Sequence, residues 1–448
     1  MHPEDKISPA FEPYLADSRR RDKHEAVVIY QAPPAKRPRS REELRLAETR
    51  VAYAAEQAVI HKEVESRIVD RYLDSGEESL LPRPIGNSAL PVLSVEVTRQ
   101  TLLTLAKQPD VVAIMPNQRI HLIKPAAVAY DELARGEVRQ GTTWGLEHLG
   151  VPEVWPTTRG AGVTVAVLDT GVFADHPALT GRVTEFVLVD PLGRRIAATP
   201  AFDAGAHGTH VCGTIAGGQT PEGVHIGVAP EAKLVVGAVL VGDATLRTLL
   251  EGLDWAIEKG ADIVNMSLGF SYYEPMFTEV FAVLLGQYGL LPVVAVGNEA
   301  QGNSSSPGNA YNALTVGALE KIGRNRADVA FFSSGASLVF PGQEPNTLVT
   351  KPDVVAPGVQ VFSTIPPMPR SGGLYFYSYM DGTSMAAPHV AGVAALLMAA
   401  QPKAPVTAIM QAIKETAYHP RGNDRRPDNR WGCGMVRPTE ALKALASA

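Results

Sequence analysis

GVTVAVLD, residues 162–169, is apolar at nearly every position and ends in an acidic residue. Three stretches of the same kind follow it along the chain: KLVVGAVL (233–240), ADIVNMSLG (261–269) and LPVVAVGN (291–298). Segments with the composition of helices separate these stretches, among them residues 244–260. Strands that are apolar on both faces and alternate with helices predict a mostly parallel sheet with helices on both faces, an α/β fold.

The first part of the chain has a different pattern. Strand candidates and helix candidates alternate there in the order strand, helix, strand, strand, helix, strand, which predicts a ferredoxin-like α+β domain over residues 24–123. Its strands are expected at 24–30, near 81–86, at 89–98 and at 111–123, and its helices at 40–73 and 98–108. Residues 1–23 are interpreted as an N-terminal extension, 124–143 as a linker without clear periodicity, and 144–448 as the α/β domain.

Length and charge narrow the classes of function. The chain has 448 residues, enough for two or three domains, and its 41 Lys and Arg against 47 Asp and Glu give a net charge of −6. This balance predicts no binding to nucleic acid or to a membrane surface. No apolar run of about 18 residues occurs, so no membrane span is expected. The N-terminus has no secretory signal, so a cytoplasmic protein is expected, or a secreted one if the N-terminus is incomplete. Cys212 and Cys433 could form one disulfide, although two buried thiols are expected.

Polar residues at strand ends and helix starts form a candidate site. Asp169 and Asn298 end two of the apolar strands. His207 begins a segment of small residues, and Ser384 lies in DGTSMAAPHVAG (381–392), before an apolar helix. Each residue taken alone has an ordinary explanation as a turn residue or a helix cap. Together they lie at the edge of a parallel sheet where active sites are commonly found. They predict an active site with a nucleophile, a base, an acid that orients the base and an amide that stabilises an oxyanion.

The segments around these residues resemble the signature blocks of the subtilisin-like serine proteases, the subtilases. The blocks are VAVLDTGV (165–172), HGTHVCGTIAG (207–217), VVAVGNEA (293–300) and GTSMAAPHVAG (382–392). The chain order Asp, His, Ser is also the order of that family. The resemblance covers residues 144 to about 445 and implies a subtilisin-like fold and a serine endopeptidase.

The resemblance also implies a role for each matching residue. Ser384 would attack the peptide carbonyl, His207 would act as general base and acid, and Asp169 would orient the imidazole. Asn298, together with the backbone N–H of Ser384, would stabilise the oxyanion. Four further residues are expected to bind the substrate. Ser267, Leu268 and Gly269 would pair with its backbone, and Gly297 is expected near the specificity pocket.

Residues 24–123 resemble the propeptide of the same family, chiefly through residues 103–122. This resemblance implies a zymogen whose own N-terminal domain inhibits it, with the domain's tail in the substrate cleft, and which is released by autocatalytic cleavage within 124–143. Because proline is a poor leaving amine, no cut is expected between Lys124 and Pro125. Cleavage is expected farther along, at Tyr130–Asp131 or between Arg135 and Gln140.

The chain departs from the family pattern around its usual metal site. Ala178 stands where a relative commonly has a calcium-binding aspartate, and the loop 217–227 lacks the amide-rich calcium segment. Structural calcium is therefore allowed by the resemblance, but that site is not carried over, and no cofactor is expected for the chemistry. His207 and His210 also suggest a metal site, which no cluster of Cys, Glu or Asp completes. The segment 239–248 lacks the family's Gly-Ser-Gly edge strand, so the outer substrate subsites are not predicted.

Two alternative functions remain open at this point. The first is a catalytically silent homologue that binds peptides, and the intact set of candidate residues argues against it. The second is a peptide ligase or macrocyclase that uses the same acyl-enzyme, and the segment between residues 298 and 384 contains no obvious lid that would exclude water. The expected partners are protein or peptide substrates and the chain's own propeptide.

Overall fold

The computed structural model describes residues 2–16, 22–35, 43, 46–73, 82–127, 135–270, 273–323, 326–339, 348–370 and 373–447. The strands are β1 His24–Tyr30, β2 Arg83–Pro84, β3 Val92–Val97, β4 Val111–Pro116, β5 His121–Leu122, β6 Ala126–Ala127, β7 Thr164–Asp169, β8 Val183–Val189, β9 Arg195–Ile196, β10 Lys233–Ala238, β11 Ile263–Met266, β12 Leu268–Gly269, β13 Leu291–Ala295, β14 Leu314–Lys321, β15 Ala327–Val329, β16 Ala336–Leu338, β17 Val349–Lys351, β18 Val354–Pro357, β19 Val361–Arg370 and β20 Gly373–Asp381. The helices are α1 Glu12–Ala16, α2 Ala47–Leu73, α3 Arg99–Ala106, α4 Arg135–Gln140, α5 Trp144–Leu149, α6 Val151–Val154, α7 His207–Ala216, α8 Leu246–Glu258, α9 Phe277–Val283, α10 Thr383–Ala400, α11 Val406–Glu415 and α12 Pro438–Ala446.

The large sheet carries the parallel core that the four apolar stretches predict. Its strands run in the order β15-β14-β13-β11-β7-β10-β8-β9, and β18 also pairs with β14. The central pairs β14–β13, β13–β11, β11–β7, β7–β10 and β10–β8 are all parallel. Successive side chains of a strand point to opposite faces, so Val165 and Val167 of β7 join one core while Ala166 and Leu168 join the other. The prediction of an α/β fold is confirmed.

Residues before the linker form a second, four-stranded sheet. Its strands are antiparallel and run in the order β2-β3-β1-β4. Together with α2 and α3 between the strands, this is the ferredoxin-like arrangement. One face of β1, formed by Ala26, Val28 and Tyr30, packs against residues of α2 and α3, whereas Val27 and Ile29 on the other face join the core that contains α8. The central strand β1 is therefore buried on both faces.

Several element boundaries differ from those expected from the sequence. The described part of the long helix begins at Ala47 rather than at residue 40. The weak strand near 81–86 is only Arg83–Pro84, an exposed edge strand, which fits the inability of Pro84 to donate a ladder hydrogen bond. The described parts of the linker 124–143 contain β6 and α4, which its lack of periodicity does not predict.

The first residues of the chain pack onto the small sheet. Ile7, Phe11 and Tyr14 are buried in the same core as α2 and α3, and Ile7 pairs with Ile114 of β4 as an isolated bridge. The hydroxyl of Ser8 donates a hydrogen bond of 2.5 Å to Glu274 in the large domain. The sequence analysis does not predict this contact, since it interprets residues 1–23 only as an extension.

The loop between β2 and β3 docks on helix α8 of the large domain. The buried carboxylate of Asp254 accepts hydrogen bonds of 2.8 Å from the backbone N–H groups of Asn87 and Leu90. Burial raises the pKa of Asp254 to about 7, although the guanidinium of Arg195, 2.6 Å away, acts in the opposite direction. Gly86 permits the close approach, because it has a φ of +65° and a Cβ there would lie 2.0 Å from Asp254 Oδ2.

Helix α10 crosses the centre of the large domain. By length and composition alone this helix is long and apolar enough to span a membrane. In the fold, 89% of this helix is buried inside the molecule, as in the core helix of a globular domain. Thr383 and Ser384 begin the helix, and Pro388 lies one turn further on.

Candidate active site

Asp169 and His207 form a buried pair at the carboxyl edge of the large sheet. Asp169 is the last residue of β7, and His207 is the first residue of α7. The Nδ1 atom of His207 lies 2.8 Å from Oδ1 and 3.0 Å from Oδ2 of Asp169. The backbone N–H of Thr170 donates to Oδ1 at 2.7 Å and fixes the carboxylate. The imidazole is thereby oriented with its Nε2 atom directed away from the acid.

Ser384 lies at the start of α10 and is fully buried in this structure. Its Oγ atom, the Nδ2 atom of Asn298 and the Cα atom of Pro125 all lie within 3.4 Å of the position that a Cβ on Gly382 would occupy. Nε2 of His207 is buried and has no hydrogen-bond partner among the described residues, so Ser384 and His207 are not hydrogen-bonded here. Nucleophile–base hydrogen bonds often form only when a reacting substrate is bound.

Asn298 directs its amide at a peptide carbonyl. The residue follows β13, and its Oδ1 atom accepts hydrogen bonds from the N–H of Thr383 at 3.0 Å and from the Thr383 hydroxyl at 2.8 Å. These two contacts leave Nδ2 to donate to the carbonyl oxygen of Lys124 at 3.0 Å. Thr383 is a positioning residue that the sequence analysis missed, although it directly precedes Ser384.

The chain segment before Lys124 lies in the cleft as an extended strand. β5 pairs antiparallel with β12, with Leu122 opposite Leu268 and His121 opposite Gly269, and the N–H of Ile123 donates to the carbonyl of Ser267 at 3.2 Å. On the other side of the segment, the N–H of Ile120 donates to Ala244 and the N–H of Leu246 donates to Gln118. The segment is therefore held from both sides, and the residues around 244–246 supply the pairing edge that the sequence did not predict.

The chain after Lys124 continues along the same cleft. Pro125 follows, and β6 then pairs antiparallel with β20, with Ala126 opposite Asp381 and Ala127 opposite Met380. The peptide bond between Lys124 and Pro125 thus lies beside Ser384 and Asn298, with paired backbone on both sides of it. The expected cleavage position at Tyr130–Asp131 lies outside the described residues, and Arg135–Gln140 forms helix α4.

The residues expected to bind the substrate fall into two groups. Ser267, Leu268 and Gly269 line the paired segment, and the hydroxyl of Ser267 also donates to the carbonyl of Ser384 at 3.2 Å. Gly269 has no room for a side chain, because a Cβ would lie 1.9 Å from the carbonyl oxygen of Ser306. Gly297 instead faces the carboxylate of Glu299, where a Cβ would lie 2.3 Å from Oε2.

His210 contacts backbone carbonyls and takes no part in the pair formed by Asp169 and His207. Its Nε2 atom lies 3.0 Å from the carbonyl oxygen of Val361 and 3.2 Å from that of Ser378. Burial lowers the pKa of His210 to about 3, with a smaller contribution from the neighbouring His207, so the ring is neutral. Among the residues that the structure describes, no group of three or more His, Cys, Asp or Glu side chains is arranged to hold a metal ion.

The two cysteines are free thiols, which agrees with the expectation that they form no disulfide. Cys212 is fully buried on α7, and burial raises the pKa of its thiol well above the usual value. Cys433 is only partly buried, so the expectation of two buried thiols is wrong for this residue. Neither thiol is a candidate nucleophile, since a reactive cysteine needs a lowered pKa.

The site combines three chemical capabilities. The carboxylate of Asp169 orients the imidazole of His207, and the hydroxyl of Ser384 lies in the first turn of a long helix. The amide of Asn298 is held in place and donates a hydrogen bond to a peptide carbonyl that lies beside this hydroxyl. The position of Ser384 at a helix start favours negative charge there. This arrangement has the elements needed for nucleophilic attack on a peptide bond with stabilisation of the resulting oxyanion.

Comparisons with known proteins show similarity to one family of proteases. A sequence model described as the subtilase family matches residues 160–434. M-protease from Shouchella clausii (strain KSM-K16) is 34% identical over 359 residues, which cover 79% of this chain and 80% of the relative. Fervidolysin from Fervidobacterium pennivorans is 32% identical over 366 residues, 74% of this chain but 48% of that protein, so the chain spans about half its length.

A solved structure leads to the same group of proteins. The crystal structure of fervidolysin, described as a keratinolytic enzyme related to subtilisin, superimposes with a TM-score of 0.68 at 25% sequence identity. The superposition covers 95% of this chain and 62% of fervidolysin. The likeness therefore extends beyond the segment 160–434 that matches the family model.

Proposed function

The chain belongs to the subtilase family of serine endopeptidases, and from this membership we propose that it hydrolyses peptide bonds of protein or peptide substrates through Asp169, His207 and Ser384. The observation that carries the proposal is the hydrogen bond from Asn298 Nδ2 to the carbonyl oxygen of Lys124, 3.0 Å long, beside the hydroxyl of Ser384. This contact supports the proposal that Asn298 donates to the carbonyl oxygen of a bound substrate.

The proposed mechanism proceeds through an acyl-enzyme. Ser384 Oγ attacks the carbonyl carbon while Nε2 of His207 takes the hydroxyl proton. The carboxylate of Asp169, bound to Nδ1, keeps the imidazole in the required tautomer and stabilises the imidazolium. His207 then gives the proton to the leaving amine, and a water molecule hydrolyses the acyl-enzyme by the same steps in reverse.

Removing the amide of Asn298 tests the proposed oxyanion stabilisation. Asn298→Ala is expected to lower kcat by about 10²–10³-fold, the loss that removal of the equivalent donor causes in subtilisin itself, with a smaller change in KM. Nδ2 would be absent while the backbone N–H of Ser384 remains, so some activity should persist. Steady-state kinetics on a peptide p-nitroanilide measure both constants. A variant with unchanged kcat would contradict the assigned role.

Covalent labelling separates an enzyme from a silent homologue that only binds peptides. A fluorophosphonate probe is expected to attach to Ser384, because only a serine activated by a base reacts readily with it. Mass analysis of peptides from the labelled protein locates the adduct. Labelling is expected to be slow in the uncut chain, where Ser384 is buried, and to rise after cleavage. A cleaved chain that stays unlabelled, or a label on another residue, would contradict the proposal.

The proposed enzyme is made in a self-inhibited form. Residues 24–123 act as the inhibitor, 124–143 as the linker with the processing site, and 144–448 as the peptidase. The support comes from the segment around residues 118–127, which runs through the cleft with pairing on both sides and covers Ser384. A ligase that joins peptides through the same acyl-enzyme stays the alternative, and mass analysis distinguishes joined from cut products.

A further inference from the structure

A long two-stranded arm lies beside the cleft on the side that follows the Lys124–Pro125 bond. The arm consists of β19 and β20, which pair antiparallel from Val361 opposite Met380 to Arg370 opposite Gly373. β20 alone has nine residues. Among the described residues, β6 pairs with the last two of these nine, Met380 and Asp381.

The register of β6 indicates how a substrate would run along the arm. We call the residues after the cleaved bond the leaving side, so Pro125 is the first leaving-side residue of the Lys124–Pro125 bond. Ala126 is the second and lies opposite Asp381. Ala127 is the third and lies opposite Met380. If antiparallel pairing continues, the fourth, sixth and eighth leaving-side residues of a bound peptide lie opposite Tyr379, Tyr377 and Tyr375.

The arm is anchored to the large domain and is therefore preorganised. Nε2 of His176 lies 2.8 Å from the carbonyl oxygen of Phe376, and Nε2 of His210 bridges the carbonyls of Val361 and Ser378. The ring of Tyr377 stacks on Phe362, with centroids 5.6 Å apart and an interplanar angle of 11°. A strand held in place before binding loses little conformational freedom when a peptide pairs with it.

We propose that β20 is an extended binding strand for the leaving side of the substrate, so that the enzyme prefers chains with six to eight residues after the cleaved bond. This inference rests on the proposed peptidase function and adds the class of substrate: extended, unfolded segments of long polypeptides rather than short peptides. Main-chain pairing supplies the affinity. The alternate tyrosines favour apolar or aromatic side chains at the sixth and eighth leaving-side positions, since directly opposite residues of antiparallel strands share a face.

The test uses the protein made as the full-length chain and allowed to cleave its own linker. The substrates are peptides with the sequence of residues 119–124 before the bond to be cleaved. Their leaving sides consist of two, four, six or eight alanine-based residues, and chromatography measures the rate at which each peptide is cleaved. kcat/KM is expected to rise on the order of tenfold from two to eight residues, because each added main-chain hydrogen bond contributes a factor of several. The p-nitroanilide of the same six residues has no leaving-side peptide and reports the proposed function separately.

A scan of N-methylated leaving-side residues identifies the pairing directly. Methylation at successive positions from the fourth to the seventh is expected to lower kcat/KM at every second position, because alternate N–H groups of a paired strand face the partner. In Tyr377→Ser, the preference for phenylalanine over aspartate at the sixth position is expected to disappear. Ile322→Ala, which removes an apolar side chain that is 49% exposed at the end of β14, serves as the control with unchanged preference.

The outcomes distinguish failure of the proposed binding strand from failure of the proposed peptidase function. A p-nitroanilide that is cleaved, together with a flat dependence on leaving-side length or a methyl scan without alternation, overturns the inference and leaves the peptidase function intact. A p-nitroanilide that is not cleaved overturns the proposed function, and the inference fails with it.

Discussion

Replacing Ser384 with alanine is expected to abolish peptide hydrolysis. The change removes the proposed nucleophile, and His207 then has no hydroxyl from which to take a proton, so the acyl-enzyme cannot form. In subtilisin itself the loss of the equivalent serine lowers turnover about 10⁶-fold, and the residual rate comes from binding and from the oxyanion donors. Hydrolysis of a peptide p-nitroanilide by the purified protein measures the effect.

The same variant also tests how the zymogen is cleaved. If the linker is cut by the chain's own active site, Ser384→Ala should remain at its full length of 448 residues while the unchanged chain shortens. Ser333→Ala is the matched control, because it removes another fully buried hydroxyl of the same domain and should leave hydrolysis close to that of the unchanged chain. Undiminished hydrolysis by Ser384→Ala would refute the assignment of the nucleophile.

Replacing Pro125 with alanine is expected to convert the bond after Lys124 from uncut to cut. The carbonyl of Lys124 already accepts a hydrogen bond from Asn298, and the backbone is paired before and after the bond. What opposes cleavage is the proline itself, which has a fixed φ and whose nitrogen carries no hydrogen. Alanine removes this restraint without changing the residues that hold the segment. Mass analysis of the purified variant should find a new N-terminus at residue 125.

Cleavage at this bond is expected to precede full activity. The segment before Lys124 would stay paired with residues 267–269 and 244–246 after the cut, so the released domain should still occupy the cleft. Activity should therefore be low in concentrated protein and rise on dilution as the fragment dissociates. The double variant Pro125→Ala with Ser384→Ala is the control and should stay uncut. A cut after Lys124 in the unchanged chain, or an uncut but active Pro125→Ala, would contradict this account.

The sequence predicted the large domain well because its signals are local and repeated. Strands such as GVTVAVLD (162–169) and LPVVAVGN (291–298) are apolar on both faces, which only a sheet covered by helices on both sides can bury. Their polar last residues identify the functional edge of the sheet. The small ferredoxin-like sheet was predictable for the same reason, from the order of its strands and helices.

The sequence by itself thus determined the two folds, the family and the candidate residues Asp169, His207, Asn298 and Ser384. The tertiary structure alone decided the register in which residues 118–127 lie in the cleft, because β5 and β6 are strands of two residues without a pattern of their own. Such pairs form only where an edge such as β12 or β20 is already in place, and bringing distant segments together depends on the packing of the whole chain. The contact of Ser8 with Glu274, 266 residues away, and the seating of Lys124 on Asn298 have the same origin.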